Sequence, residues 1–352
     1  MPIPARCETA RPYTGSCARR GLIPVNDELA ALRHEFPGFR IWKEVIRDRT
    51  RYVARSTWLG NSPHTVVTRD LGELRATLGQ EPAHRAPTPP FDVRAPNIAR
   101  VYNYWLGGKD HYAADRKAGG SVLDDFPEIA LAARANREFV ARAVRHVASQ
   151  GISQFIDAGT GLPLPASPAV HEAAQQIAPA TRVAYVDNDP LVLAHARALL
   201  ANGPGVTVVE GDLSDPQAIL GSPALRRIIA LHQPVCVLLT CVLHFLTAAD
   251  ADAAVAAFTT AIADGSYLIV STGTSTGTDP ALIERLRSAY AGTTVVTARS
   301  EHEIAAWLTG LDLVPPGLVD VRAWRAGWQQ HKLTPPTARI IGAVGRKPAT
   351  RT

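Results

Sequence analysis

Short apolar runs alternate with stretches of helical periodicity along the chain from residue 154 to residue 345. A short, continuous apolar run is typical of a strand in a parallel sheet that is buried on both faces. The predicted strands cover residues 154–157, 183–187, 206–210, 235–240, 266–271, 313–314 with 318–320, and 338–345. Two longer helical patterns, at 98–106 and 129–150, come before them. The pattern predicts an α/β domain with a doubly wound, mostly parallel sheet.

A smaller set of elements is predicted before this domain, and it indicates a small α+β module over residues 26–80. Its elements are a helix at 27–35, strands at 39–42, 52–55 and 64–68, and a helix at 71–78. Residues 1–25 have the composition of a flexible leader, and residues 81–96 contain five prolines, as a semi-rigid linker does. The main domain is expected to span residues 97–347. Because the module has no visible catalytic constellation, we expect a structural role, or binding of a protein partner or of a second copy of the chain.

The first predicted strand ends in a glycine turn that suits a nucleotide. Gly159 and Gly161 carry no Cβ, so the backbone can pass close to a ligand there. A dinucleotide site needs a third glycine, and Leu164 stands at that position. Asp157 would repel a pyrophosphate, but it suits the ammonium group of a methionine moiety. S-adenosylmethionine is therefore favoured over NAD, and a tight turn without any ligand is the remaining alternative.

Two further acids end the second and third predicted strands. Asp187 can accept hydrogen bonds from ribose hydroxyls, and Asp212 can accept one from an adenine amino group. Because the carboxyl ends of parallel strands meet at one edge of a sheet, we expect both acids to lie near Asp157. The alternative for Asp212 is the N-cap of the helix that follows it, and one residue could serve both purposes.

Composition and charge narrow the class of protein. The 352 residues are 46% hydrophobic and 20% charged, which is enough for one large core and a small additional domain. No apolar run reaches the roughly 18 residues that a membrane helix needs, and the first residues lack the apolar stretch of a signal peptide, so we expect a cytoplasmic protein. The net charge of +5 comes mostly from scattered arginines, so no nucleic-acid partner is expected. The four cysteines have no metal-binding spacing, and Cys236 and Cys241 are expected to be reduced core residues.

Several segments together resemble one protein family. They are Asn97-Ile-Ala-Arg-Val-Tyr-Asn-Tyr-Trp-Leu-Gly-Gly-Lys-Asp110, Phe155-Ile-Asp-Ala-Gly-Thr-Gly-Leu-Pro163, Tyr185-Val-Asp-Asn-Asp-Pro190, Val242-Leu-His-Phe245 and Leu313-Val-Pro-Pro-Gly-Leu-Val319. This set resembles the actinobacterial S-adenosylmethionine-dependent methyltransferases long classed as a domain of unknown function. The resemblance covers about residues 92–347. It implies a Rossmann-like class I methyltransferase whose seven-stranded sheet ends in an antiparallel strand, and the N-terminal module lies outside it.

The same resemblance implies S-adenosylmethionine as the cofactor and assigns its site by position. The implied binding residues are Asp157, Gly159, Thr160 and Gly161 at the methionine and ribose end, Asp187 and Asn188 at the ribose, and Asp212 and Leu213 at the adenine. The segment 102–110 would form a lid or wall over the site, with Asn103 and Gly107 close to the cofactor. The chain departs from the family pattern at 164–169, where the connection is longer and rich in proline, so no contact is carried over there.

Methyl transfer requires orientation of the acceptor, and some acceptors also need a general base. His244, just past the fourth predicted strand, is the best-placed candidate base, and its alternative is a histidine that packs under the cofactor or caps the next helix at Thr247. Tyr104, His111 and Tyr112 on the predicted lid are further candidates. The end of the fourth strand lacks the Asn/Asp-Pro-Pro-Tyr motif of amino-directed nucleic-acid methyltransferases. This favours a small-molecule acceptor.

The sequence therefore predicts a class I methyltransferase that acts on a small, specialised metabolite and holds no metal. No phosphate-loop, serine-hydrolase or zinc-protease motif is present. Two alternatives remain open. One is a non-catalytic S-adenosylmethionine sensor that acts on a partner through residues 26–80, and the other is an NAD-dependent oxidoreductase.

Overall fold

The computed structural model describes residues 25–46, 49–56, 65–79, 92–164, 167–201, 203, 205–326 and 338–349. The predicted leader up to residue 24 and the predicted linker up to residue 91 lie outside these residues, as do Cys7 and Cys17. The described residues form a small antiparallel sheet near the N-terminus and a larger, mostly parallel sheet with helices on both faces.

The N-terminal sheet has three antiparallel strands and packs against two helices. Its elements are α1 Val25–Glu35, β1 Phe39–Ile46, β2 Arg49–Ser56, β3 Thr65–Thr68 and α2 Leu71–Leu78, with β2 in the centre of the sheet. Asp70 caps α2, because its carboxylate accepts a hydrogen bond from the amide of Glu73. Leu32 of α1, Leu74 of α2 and Ala54 of β2 belong to a separate buried core. The predicted α+β elements are present, and β1 and β2 are longer than predicted.

Three helices come between the two sheets: α3 Ile98–Trp105, α4 Ala113–Asp125 and α5 Glu128–Ser149. Asn97 caps α3, because its side chain accepts hydrogen bonds from the amides of Ala99 and Arg100. The sequence pattern did not predict α4, which has two adjacent glycines and no apolar stripe. A Cβ on Gly119 would lie 2.8 Å from the Tyr104 ring, so the glycine allows α4 to pack closely on α3.

The large sheet is built from five parallel strands and an antiparallel addition at one edge. Its strands are β4 Gln154–Ala158, β5 Arg182–Asp187, β6 Val206–Glu210, β7 Cys236–Thr240, β8 Tyr267–Gly273, β9 Asp312–Leu313, β10 Val319–Asp320 and β11 Ile340–Arg346. The order is β10-β11-β8-β7-β4-β5-β6, and β9 also pairs with β11. β4 to β8 pair in parallel, whereas β11 is antiparallel to β8. The predicted Rossmann-like fold with an antiparallel last strand is confirmed, but the sheet has eight strands rather than the predicted seven, because β9 and β10 pair separately with β11.

Helices cover both faces of this sheet. The remaining ones are α6 Val170–Gln175, α7 Pro190–Leu199, α8 Pro216–Gly221, α9 Pro223–Arg226, α10 Ala248–Ala261, α11 Pro280–Ala289 and α12 Glu301–Ala306, with a 3₁₀ turn at Leu243–Phe245. On one face, Phe139 of α5 packs edge-on against the buried Trp324, with 5.4 Å between ring centroids. On the other face, Phe258 of α10 packs into a second core. No helix in the described ranges is long and apolar enough to cross a membrane.

The position of a ligand site follows from the strand order. From β4, the chain adds β5 and β6 on one side of the sheet and then β7 and β8 on the other. Ligands in such sheets bind in the crevice outside the carboxyl ends of the strands, where this reversal occurs. A ligand site is therefore expected at the carboxyl ends of β4 and β7.

We expect Gly342→Ala to destabilise the fold. A Cβ at this position of β11 would lie 2.9 Å from carbons of the Phe139 ring and 3.0 Å from the carbonyl oxygen of Val270. Overpacking of this kind costs about 1–3 kcal/mol, which urea unfolding would show as a lower midpoint. Gly221→Ala is the matched control, because a Cβ there meets nothing within 4 Å. Equal midpoints for the two variants would contradict the close packing of α5 on β11.

Candidate functional site

A cavity of about 400 Å³ lies at the carboxyl ends of the parallel strands. The strand ends form its floor, and Asn97, Ile98, Ala99 and Tyr102 of the α3 region form part of its wall. Of the residues predicted to bind the cofactor, the cavity is lined by Gly159, Thr160, Gly161, Asp187, Asn188, Asp212 and Leu213. The sheet therefore brings together side chains that are more than fifty residues apart along the chain.

The glycine turn after β4 requires its glycines. Gly159 has φ 81° and Gly161 has φ 65°, which is the left-handed region where a side chain is strained. A Cβ on Gly159 would also lie 2.1 Å from Cγ1 of Val242. The hydroxyl of Thr160 donates to the carbonyl oxygen of Asp157 at 2.9 Å. The backbone thus turns tightly around the end of β4 and leaves room above it for a ligand.

Asp187 is held at the end of β5 by two backbone amides. Its carboxylate accepts hydrogen bonds from the amide of Gly161 at 2.9 Å and from the amide of Asp189 at 3.0 Å. Burial nevertheless raises the pKa of Asp187 to about 6. The side chain is partly exposed to the cavity. Its oxygens can therefore accept the hydroxyls of a ribose.

Asp157 lies in a smaller adjoining cavity of about 60 Å³, which shares Arg137, Val140, Thr160 and Gly161 with the larger one. Burial raises the pKa of Asp157 to about 7, against the opposing effect of the Arg137 guanidinium. Nε of Arg137 is buried and has no hydrogen-bond partner among the described residues. A carboxyl and a guanidinium that share one cavity are complementary to the ammonium and carboxylate of an amino acid.

Sequence reasoning missed Arg137, because no motif surrounds it. A signal was nevertheless present in the sequence. Asn136 and Arg137 interrupt an apolar stripe on α5 that includes Ala133 and Val140, and such a polar pair on a buried helix face calls for a partner. Asn136 has its own partners, because it accepts a hydrogen bond from the Ser271 hydroxyl at 2.6 Å and donates to the Tyr102 hydroxyl.

Asp212 is held by a local turn rather than by a helix end. Its carboxylate accepts hydrogen bonds from the amide and hydroxyl of Ser214 and from Nδ2 of Asn188. Although burial opposes the shift, these hydrogen bonds lower the pKa of Asp212, so it is an anion at neutral pH. The N-cap of α8 is Asp215, so the interpretation of Asp212 as that cap is wrong.

The structure places Asn103 and Gly107 away from the cavity. Oδ1 of the buried Asn103 accepts a hydrogen bond from the amide of Asp110 at 3.0 Å, so this side chain supports the turn after α3. Gly107 is exposed and ends the helix with φ 75°. The expectation that both lie close to the cofactor is therefore corrected, because the first turns of α3, with Tyr102, form the wall.

The candidate bases are distributed differently from the prediction. Tyr104 and His111 pack edge-on against each other, and the hydroxyl of Tyr112 hydrogen-bonds to that of Thr65 in the N-terminal sheet. These three line none of the three described cavities. His244 does line one of them, and burial and the Arg299 guanidinium lower its pKa to about 4, so it is neutral at pH 7.

The cavity that contains His244 is mostly apolar and adjoins the larger cavity at the strand ends. It has a volume of about 90 Å³ and includes Leu282, Leu286 and Val296. Four residues line both this pocket and the larger cavity: Ile98, Tyr102, Cys241 and Phe245. We call it the apolar pocket. The hydroxyl of Tyr290, which lines the pocket and is almost fully buried, has no hydrogen-bond partner among the described residues.

Cys241 marks the junction of the two cavities. It has φ 55°, which is unusual for a residue other than glycine and costs of order 1–3 kcal/mol. Its amide donates to the carbonyl oxygen of Ser271 at 2.7 Å, which holds the bend after β7. Cys236 is a buried core residue as predicted, but Cys241 is half-buried and faces both cavities.

Comparison with known proteins assigns the family. A model described as S-adenosyl methyltransferase matches residues 84–348, about three quarters of the chain. The chain belongs to this family. A candidate methyltransferase from Thermobifida fusca YX is 38% identical over 75% of this chain and 99% of its own, with a TM-score of 0.69. A DUF574 family protein from Streptomyces avermitilis is also 38% identical, over 73% of this chain and 99% of its own, with a TM-score of 0.67. No curated protein matches the chain.

S-adenosylmethionine is therefore the cofactor, and the cavity residues fit it. The joined cavities offer carboxyls for a cationic amino acid and a ribose, a guanidinium for a carboxylate, and a glycine turn where a Cβ would fill the space. The NAD alternative loses its support, because the chain belongs to an S-adenosyl methyltransferase family and the pyrophosphate of NAD would meet the carboxyl of Asp157 beside the glycine turn. The family match begins at residue 84, so the N-terminal sheet lies outside it.

The raised pKa of Asp157 predicts a pH-dependent stability without cofactor. The ordinary pKa is 3.8 and the folded value is about 7, so between these the folded state keeps a proton that the unfolded state has lost. Stability from this group is full below about pH 4 and is lost as the pH rises to about 7, by at most about 1.4 kcal/mol per pH unit. Asp157→Asn should remove the effect.

The measurement is urea unfolding of the wild type and Asp157→Asn at several values between pH 4 and pH 8. The difference in unfolding free energy should grow in favour of the variant as the pH rises and become constant above about pH 7. Asp312→Asn, which changes an exposed acid in β9, is the matched control for the loss of a carboxylate. If the difference for Asp157→Asn were independent of pH, the burial of this carboxyl would not raise its pKa, and the prediction would be wrong.

Proposed function

We propose that the protein transfers the methyl group of S-adenosylmethionine to a small, uncharged, specialised metabolite that binds in the apolar pocket. The observation that carries this proposal is the shared wall, because four residues line both the apolar pocket and the cofactor cavity. An acceptor in this pocket would therefore be held directly beside the cofactor. Placing the two reactants side by side is the main contribution that a protein makes to such a transfer.

The cofactor-binding roles follow from the cavity. In this proposal Asp187 accepts the ribose hydroxyls, while Asp157 and Arg137 bind the ammonium and carboxylate of the methionine moiety. Asp212 accepts a hydrogen bond from the adenine amino group, and Leu213 packs against the ring. The chemistry of the bound cofactor is an activated methyl group on a sulfonium, and the residues of the chain orient it and exclude water.

The lining of the pocket supports an uncharged acceptor. Among its described residues, Arg339 carries a charge, and this guanidinium is already engaged by Glu301 at 2.8 Å and by the carbonyl oxygen of Thr276. A charged acceptor would lose its hydration without gaining a partner, which is costly. The unpartnered hydroxyl of Tyr290 can pair with one polar group of an otherwise apolar molecule.

His244 is proposed to orient the acceptor rather than to remove its proton. Its Nδ1 lies 3.1 Å from the hydroxyl of Thr272, and the low pKa makes the imidazole a weak base. Tyr102, which also lines the pocket, donates its hydroxyl proton to the carbonyl oxygen of Ala133 and is not free to act as a base. Proximity and orientation are therefore the proposed source of the rate.

The alternative of a non-catalytic sensor is distinguished by turnover. Purified protein would be incubated with S-adenosylmethionine and separate sets of uncharged aromatic compounds, amino acids and nucleotides, and the S-adenosylhomocysteine formed would be measured. The proposal requires accumulation with the uncharged set. Binding of the cofactor without accumulation in any set would favour the sensor.

We expect Asp187→Ala to weaken the binding of S-adenosylhomocysteine by about 10- to 100-fold. A hydrogen bond to a charged group contributes about 1.5–3 kcal/mol, and every 1.4 kcal/mol is a tenfold change in affinity. Isothermal titration calorimetry gives the dissociation constants. Asp312→Ala removes an exposed acid at the far edge of the sheet and should bind like the wild type. An unchanged affinity for Asp187→Ala would place the ribose elsewhere.

We expect Leu286→Glu to abolish methyl transfer while S-adenosylhomocysteine still binds. The new carboxylate would lie in the apolar pocket and outside the cofactor cavity, so it should expel an apolar acceptor. Leu131→Glu makes the same change on α5 at a side chain that is 61% exposed, and it should leave transfer intact. Transfer at the wild-type rate by Leu286→Glu would show that the acceptor binds in another place.

A further inference from the structure

The central strand of the N-terminal sheet is covered on both faces. Tyr52 and Ala54 of β2 face α1 and α2 in the core of the small sheet. The alternating residues Arg49, Arg51 and Arg55 face the other way, and all three contact the methyltransferase fold. One face of β2 therefore packs on the core of the small sheet, and its other face contacts the methyltransferase fold rather than solvent.

Arg51 is the centre of the contact. It is 2% exposed, and its guanidinium donates to both carboxylate oxygens of Asp110, at 2.8 and 3.1 Å, and to Glu44. Its Nη1 lies 2.7 Å from Nδ1 of His195, which must accept, because a guanidinium only donates. Asp110 and His195 are also buried, at 3% and 0% exposure. Three polar side chains thus depend on one arginine.

Two further arginines bind the end of α7. Arg49 donates to the carbonyl oxygen of Leu199 at 2.7 Å and pairs with Glu172 at 3.3 Å. Arg69 donates to the carbonyl oxygens of Arg197, Ala198 and Ala201, at 2.7 to 2.8 Å. These are carbonyls at a helix C-terminus, which lack partners within the helix and attract cations.

The elements bound by these arginines are walls of the cofactor site. Asp110 follows the turn after α3, and α3 lines the cofactor cavity through Ile98 and Tyr102. α7 begins directly after the Asp187–Asp189 turn, which lines the same cavity. Arg49 itself lines the smaller cavity that contains Asp157. The N-terminal sheet therefore reaches two sides of the site at once.

We propose that the N-terminal sheet is an intramolecular clamp that sets the affinity for S-adenosylmethionine by holding α3 and α7 in their binding positions. Arg51 is its principal positioning residue, and Arg49 and Arg69 hold the end of α7. None of the three is a catalytic residue. The inference rests on the cofactor and not on the identity of the acceptor. In this proposal the arginine face of β2 binds the methyltransferase fold of the same chain.

The physical reason is linkage. If the clamp is released, α3 and α7 sample positions that do not bind the cofactor, and the apparent affinity falls by the fraction of molecules that remain competent. By the same linkage, bound cofactor must favour the clamped state. A merely structural sheet would change the stability of the protein without this reciprocal effect.

The test compares Arg51→Met with Arg75→Met in the full chain. Arg75 on α2 pairs with Glu35 on α1, and both side chains are exposed, so Arg75→Met is the matched control. At a temperature where circular dichroism shows both variants folded, Arg51→Met should bind S-adenosylhomocysteine about tenfold more weakly than the wild type. Amide hydrogen exchange should become faster in α3 and α7 of the apo variant, and Arg75→Met should match the wild type in both measurements.

Arg51→Met leaves Asp110 and Glu44 without their cation, so the variant could fail to fold. Arg69→Met avoids this problem, because the side chain is exposed and its partners are carbonyls near the surface. Arg69→Met should weaken the binding of S-adenosylhomocysteine two- to fivefold and speed amide hydrogen exchange in α7. A folded Arg51→Met or Arg69→Met with wild-type affinity and wild-type exchange would overturn the clamp.

The failure of the clamp differs from the failure of the proposed function. If transfer to uncharged acceptors is absent but affinity and exchange respond to Arg51→Met, the clamp stands and the acceptor proposal falls. If transfer is present and both variants bind like the wild type, the clamp falls and the acceptor proposal stands.

Discussion

Two carboxyls with raised pKa values at the ends of adjacent parallel strands are the constraint on which the site depends. Parallel pairing of β4 and β5 places Asp157 and Asp187 at the same edge of the sheet, and burial raises the pKa of both. A charged carboxylate in this position needs a cation, and the Arg137 guanidinium acts on Asp157 in this way. S-adenosylmethionine carries a sulfonium and an ammonium, whereas a dinucleotide would add negative charge. The fold therefore selects the cofactor by electrostatics as well as by shape.

The second cavity has the opposite character, and this contrast supports the proposal that the acceptor and the cofactor bind in separate cavities. The cofactor cavity has acids, amides and hydroxyls among its lining residues, and the apolar pocket is lined mainly by leucine, isoleucine, valine and aromatic side chains. An uncharged acceptor gains little from the first and a charged cofactor gains little from the second. The bend at Cys241 brings the two linings together, so its strained backbone has a functional explanation.

The sequence predicts those parts of the molecule that local patterns encode. The strands are predictable because their apolar runs are continuous, and the glycine turn is predictable because only glycine tolerates φ near 81° beside Val242. α4 was missed because its close packing on α3 needs glycine, which local propensity counts against a helix. Arg137 and the apolar pocket could not be placed, because they depend on how α5 and α11 meet the sheet.

Asn103 shows the limit of reasoning by resemblance. The segment from Asn97 to Asp110 carries much of the likeness to the family, yet within it Asn103 supports a turn and Asp110 binds an arginine from outside the family match. A shared segment therefore does not fix which of its side chains meet the ligand. The side-chain environment decides that role, and for Asp110 the environment is supplied by β2.

The ionic cluster at Arg51 also makes the attachment of the N-terminal sheet cooperative. Separation of the sheet would take Arg51 away from Asp110 and His195, and breaking a buried ion pair costs several kcal/mol. Partial separation gains nothing, because Asp110 and His195 share one guanidinium and its withdrawal affects both of them. The sheet should therefore be either fully attached or fully detached. An element with two discrete states that contacts two walls of a ligand site has the physical properties needed to couple its position to ligand affinity.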